Sequence, residues 1–133
     1  LMTPIPLSAG ILLLSVFCAC KKKELTSAEQ PTATIIIANP HPEQEIKGGT
    51  KLAIQAQIKG DVNLHGYEVF IVDKQSLDTL FEMDNHTHAE ELQVNEIWVD
   101  TLSQAADLEV FVKTELNHEG ASVTKTVSFK SRP

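Results

Sequence analysis

From residue 32 onward the chain is built of short apolar runs separated by turn residues, and none sustains the three-to-four spacing of an amphipathic helix. The clearest run is 51–59, where Leu52, Ile54, Ala56 and Ile58 alternate with Lys51, Ala53, Gln55, Gln57 and Lys59. Strict alternation puts one set on each side of an extended chain, so this segment predicts a strand with a buried and a wet face. Ile35, Ile36 and Ile37 form an earlier run, closed by Asn39-Pro40 and His41-Pro42. Paired prolines cannot continue a central strand. Gly48-Gly49 and Gly60-Asp61 predict turns on either side of 51–59.

Tyr67, Val69 and Ile71 alternate next, and 79–83 is short enough for an edge strand. In 91–99 the apolar residues are Leu92, Val94, Ile97 and Val99, whose phase slips by one after Val94. A bulge near Asn95-Glu96 would bring both halves to one core. Leu108, Val110 and Val112 mark a sixth strand; Val123, Val127 and Phe129 mark a seventh, after the turn at 117–120. Seven short strands in about a hundred residues resemble an immunoglobulin-like β-sandwich of antiparallel strands, although a jelly roll or small barrel would be patterned similarly. The resemblance is to the pattern alone, because the cysteine pair and buried tryptophan of antibody domains are missing and Trp98 falls in a different strand.

The first thirty residues have another character. Residues 11–17 form the densest apolar stretch, no charge precedes Lys21, and the run is far shorter than the ~20 residues a spanning helix needs. A cleaved leader is the expectation, although residues 1–10 lack the usual basic group. Val16-Phe17-Cys18-Ala19-Cys20 resembles the lipobox of bacterial lipoproteins, in which a small residue precedes the acylated cysteine. Ala19 fits before Cys20; Phe17, three positions before it, replaces the common Leu. The resemblance implies a signal peptide at 1–19, a lipidated Cys20 leading a flexible tether over 20–31, and a sandwich domain over 32–133. It also implies anchoring to a bacterial membrane, with the outer membrane preferred, and a domain in the periplasm or outside the cell. Buried acyl chains contribute about 0.8 kcal/mol per methylene, so lipid alone can hold such a domain. Lys21, Lys22 and Lys23 would then lie beside anionic headgroups.

Charge narrows the partners. Residues 31–133 carry 8 basic against 16 acidic side chains, a net of −8, which repels phosphate backbones and argues against nucleic acid. Catalytic signatures are missing: there is no Gly-x-Ser-x-Gly elbow, phosphate-binding glycine loop or dinucleotide fingerprint, and no cysteine would survive processing unmodified. The expected function is therefore a non-catalytic binding or structural module of the envelope, with a protein or glycan as partner. Trp98, Phe70 and Phe81 would mark such a contact if they face outward.

Five histidines, His41, His65, His86, His88 and His118, fall outside the predicted core faces. In the sandwich topology, the connections holding His65, His86 with His88, and His118 share one end, and His41 lies elsewhere. His86-Thr87-His88 places two rings on one side of an extended chain. Neutral imidazoles suit Zn²⁺ or Cu²⁺, and Asp84 and Glu119 could supply oxygen ligands or orient a ring. Binding or delivery of Zn or Cu is thus the alternative function, against the ordinary account of solvated loop histidines. A metal-dependent enzyme ranks third, since it needs the same end to add an open metal position and a carboxylate base.

Overall fold

The computed structural model describes Met2, Pro4 and residues 30–133. The rest of the expected leader, the lipidation site Cys20 and tether residues 21–29 lie outside the described residues. Among the described residues no helix is long and apolar enough to cross a membrane.

The domain is all-β and has the immunoglobulin-like sandwich form. Its strands are β1 (Ala33–Asn39), β2 (Gln44–Lys47), β3 (Lys51–Asp73), β4 (Thr79–Val99), β5 (Ala106–Glu115) and β6 (Ser122–Arg132). Six strands replace the expected seven. The predicted turn at Gly60-Asp61 does not end its strand and the expected edge strand 79–83 runs on into 91–99, so β3 and β4 each run through both layers as one long antiparallel hairpin. One layer is β1, the first half of β3 and the second half of β4. The other holds the remaining halves of that hairpin with β5, β6 and β2. The added strand β2 runs parallel to β6.

Alternation behaves as expected through the first half of β3, where Leu52, Ile54, Ala56 and Ile58 are buried. It then changes phase, because Leu64 is followed inside by Tyr67, Val69 and Ile71. Two register shifts lie on this stretch, and the second of them flips the alternation. Residues 60–63 of β3 face only Glu90 of β4, and Gly66 of β3 faces His86 and Thr87 together. Such bulges twist and redirect a strand, which lets one strand leave one sheet and enter the other.

The expected bulge at Asn95-Glu96 is not there. Pairing runs without a break from Lys51 opposite Val99 to Lys59 opposite Glu91. Leu92, Val94 and Trp98 therefore face inward with Glu96 between them, while Ile97 and Val99 are 61% and 47% exposed. Glu96 can point inward because its Oε1 accepts a 2.7 Å hydrogen bond from the Tyr67 hydroxyl. A bonded carboxylate avoids the penalty of an unpartnered one, so polarity alone does not decide its side. Trp98 packs edge-on to Phe129 with ring centroids 6.3 Å apart. Burial of each large apolar side chain contributes about 1.5–3 kcal/mol, and Ile54, Ile58, Val69, Ile71, Val110 and Phe129 are among those nearly or fully removed from water.

Candidate metal centre

At one end of the sandwich, β3 crosses between layers beside the β5–β6 turn. Gly66 makes the crossing possible. Its φ is +90°, and a Cβ there would lie 2.1 Å from the Asn85 carbonyl oxygen and 3.0 Å from the His86 Cα. Only glycine fits both the left-handed backbone and so near an approach by β4. The Thr114 hydroxyl, fully buried on β5, donates a 2.7 Å hydrogen bond to the Gly66 carbonyl. This clamp fixes the residues on either side.

His65 precedes Gly66 and is the direct cross-strand partner of His88. Their ring centroids are 4.6 Å apart with planes tilted by 42°. His118 reaches the same place from the β5–β6 turn and meets His65 edge to face at 4.1 Å. That turn is organised by Asn117, whose Oδ1 accepts the backbone N–H groups of Glu119 at 2.9 Å and Ala121 at 3.1 Å. His88 and His118 are 6.3 Å apart, and His86 and His88 are 5.2 Å apart. The Nε2 atoms of His86 and His88 lie 3.4 Å from each other.

All four rings expected at this end do meet there, though not on loops as expected: His65 lies within β3, His86 and His88 lie within β4, and only His118 is on a turn. His41 is apart from them, in the turn between β1 and β2, where its backbone N–H donates to Gln44 Oε1 at 3.0 Å. Asp84 borders a cleft of about 200 Å³ beside the rings, lined also by His65, Glu68, His86, Lys113 and Glu115. Glu119 is exposed on the β5–β6 turn. The sequence reading missed Glu115, which ends β5 and bears on His65. Its only signal was its place just before the predicted turn.

Electrostatics at this end oppose protonation of His65. His65 is held below the ordinary imidazole value, first by partial desolvation and then by the positive charge that His118, His88 and His86 would carry; Glu115 pulls the other way. A neutral ring keeps a lone pair for a metal. Among the described residues, no three His, Cys, Asp or Glu side chains already surround one point as metal ligands. The rings instead pack edge to face, and at least one must turn about its side-chain torsions to join the 3.4 Å pair.

The aromatic residues give a different answer from the histidines. Trp98 is 5% exposed and belongs to the core. Phe70 and Phe81 are half-buried, Phe70 opposite Phe111 and Phe81 opposite Ile71 in the register. Strand neighbours cover them, and no outward aromatic platform forms from these three.

No family model matches the chain, and no curated protein matches it. Solved structures similar to it include a fibronectin(III)-like module of CbhA from Clostridium thermocellum, 10% identical with a TM-score of 0.47, over 74% of this chain and 96% of that one. Domain 1 of VCBP3 from Branchiostoma floridae is 13% identical with a TM-score of 0.41, over 75% of this chain and 95% of that one.

Proposed function

We propose that the chain is a lipid-anchored, non-catalytic module of a bacterial envelope that binds a divalent transition-metal ion, Zn²⁺ or Cu²⁺, through the histidine end of its sandwich. The supporting observation is the 3.4 Å separation of His86 and His88 Nε2. Zinc–imidazole bonds of about 2.0–2.1 Å at a tetrahedral angle put neighbouring ligand nitrogens roughly 3.3–3.4 Å apart. Two of the four nitrogens thus stand as an edge of such a site already. His65 or His118 supplies the third by a ring rotation, and the adjoining cleft leaves a coordination position open. Asp84 and Glu115 border that cleft and add negative potential that attracts a cation.

Without metal the same spacing lets one neutral ring donate its N–H to the other. The two accounts separate by linkage, since a ligand bound only to the folded state raises stability by about 2.7 kcal/mol at a hundredfold excess over Kd. Thermal unfolding of residues 21–133 should shift upward with saturating Zn²⁺ or Cu²⁺, and the double substitution His86→Ala with His88→Ala should abolish the shift. A melting temperature that ignores saturating metal in the unsubstituted protein removes the reading. Anchoring is tested separately: a bacterium that acylates lipoproteins should place the full chain in the membrane fraction, and Cys20→Ser should release it.

A further inference from the structure

The fold also fixes which end of the domain its anchor would pull on. Ala33, the first residue of β1, pairs with Gly60, so β1 begins where β3 approaches its crossing between layers. The residue before it is fastened there. Thr32 accepts the Asp61 backbone N–H at 3.2 Å through its carbonyl, and its own N–H donates to Asp61 Oδ1 at 2.9 Å. Asp61 is four residues from His65, so even a fully stretched chain keeps Asp61 within about 14 Å of His65, and Thr32 lies one strand spacing of about 5 Å beyond it. The opposite end holds Lys51, the 100–105 connection and the end of β6. It is about 30 Å away, the rise of the nine paired residues 51–59.

We propose that the histidine end is the membrane-proximal end of the anchored domain, so that the surface it faces is the lipid headgroup layer and a bound metal ion is held above it. This rests on the anchoring and metal readings above. Eleven residues, 21–31, separate Cys20 from Thr32 and span at most about 36–40 Å. That reach is comparable to the length of the domain itself. The end at which the chain enters is drawn toward the bilayer, and the far end projects from it. A metal ion bound at the near end is then exchanged with groups at the membrane surface more readily than one bound at the far end.

The test uses the full, acylated chain reconstituted in phosphatidylcholine vesicles whose headgroups carry a fluorescence acceptor. A fluorescent amino acid is placed at Glu119, beside the histidines, or at Ser103, in the opposite connection. Energy transfer to the headgroups should be strong from position 119 and should fall when the reporter moves to 103. Equal transfer, or stronger transfer from 103, overturns the orientation. Measuring in EDTA keeps the result independent of metal binding, which the Zn²⁺ melting shift tests alone. Flotation with the vesicles reports anchoring, and a chain that fails to float overturns the anchoring and the orientation together.

Discussion

The two ends of this sandwich solve the same problem in opposite ways. At the end away from the histidines, Asp100 is fully buried and its carboxylate accepts the Ser131 hydroxyl and, at 2.9 Å, the Leu102 backbone N–H. The Asp100 backbone N–H donates to the Thr50 carbonyl at 3.0 Å, and its own carbonyl accepts the Gly49 N–H at 2.8 Å. One side chain and its peptide therefore tie together the β2–β3 turn, the β4–β5 connection and the end of β6. At the histidine end the backbone is fastened by Gly66 and Thr114, but the imidazoles above it bond chiefly to one another. Among the described residues no buried side-chain nitrogen or oxygen lacks a partner, so the difference is not one of satisfaction against strain. It lies in where the polar groups point: into the chain at one end, and toward one another and the adjoining cleft at the other.

The largest way to break the comparison is Gly66→Ala. Left-handed backbone costs a residue with a Cβ about 1–3 kcal/mol, and a 2.1 Å approach to the Asn85 carbonyl adds a packing cost of about the same size. Denaturant unfolding should report a loss of about 4 kcal/mol, and whatever protein remains folded should show no metal-dependent shift, because β4 must move and carry His86 with it. An unperturbed metal response would show that the glycine shapes the crossing without positioning the rings.

Asp100→Ala should cost about 3 kcal/mol, since it strands the Ser131 hydroxyl and the Leu102 N–H in a buried site. Its effect should stop there. The metal shift of the destabilised protein should match that of the parent, and a lost shift would mean that the two ends are coupled. Thr114→Val is smaller, about 1–2 kcal/mol, from the unpaired Gly66 carbonyl. It sharpens the contrast by loosening the histidine end alone, so metal affinity should fall along with stability.

The two ends were not equally legible in the sequence. The alternation of 51–59 placed Leu52, Ile54 and Ile58 on the core face, and it did so because their neighbours on the strand are polar or small. The meeting of His65, His86, His88 and His118 followed from topology, since a sandwich brings alternate connections to one end. What stayed hidden depends on contacts between distant segments. Gly60 reads as a turn, yet a bulge keeps the strand going; Asn95-Glu96 reads as a bulge, yet the strand stays regular because Tyr67 gives the inward Glu96 a partner. β2 carries one apolar residue in four, Ile46, and pairs because β6 offers an edge. Gly66 and Thr114 have no sequence signature at all, because their role exists only where β4 comes close to β3. Asp100 was likewise one carboxylate among many until burial singled it out.

The smallest effects are those of pH, and they also divide between groups. Tyr67 is pushed up to about 12 by burial first and by its bond to Glu96 second. The folded state holds the phenolic proton more tightly than the unfolded state, so this contribution is complete below pH 10 and disappears as pH rises toward 12. Tyr67→Phe should flatten the alkaline fall in stability across that window, at the cost of leaving Glu96 without its donor.

His65 acts in the other direction. Its folded-state value lies below 6.5, so the unfolded chain takes up a proton more readily and stability drains away as pH falls below 6.5. The ring is partly open to solvent, and water screens its neighbours, so the loss should be modest and should shrink in high salt. His65→Gln keeps a polar, ring-sized group without a proton to gain. In metal-free buffer it should remove part of the acid-side slope between pH 6.5 and 5 while leaving stability at pH 8 unchanged. Should the slope persist in full, groups other than His65 govern the acid response, and His65 is a bystander within the cluster. If stability at pH 8 drops as well, the edge-to-face packing of His65 on His118 holds the end of the sandwich together, and the imidazole cluster is structural in the way Asp100 is at the other end.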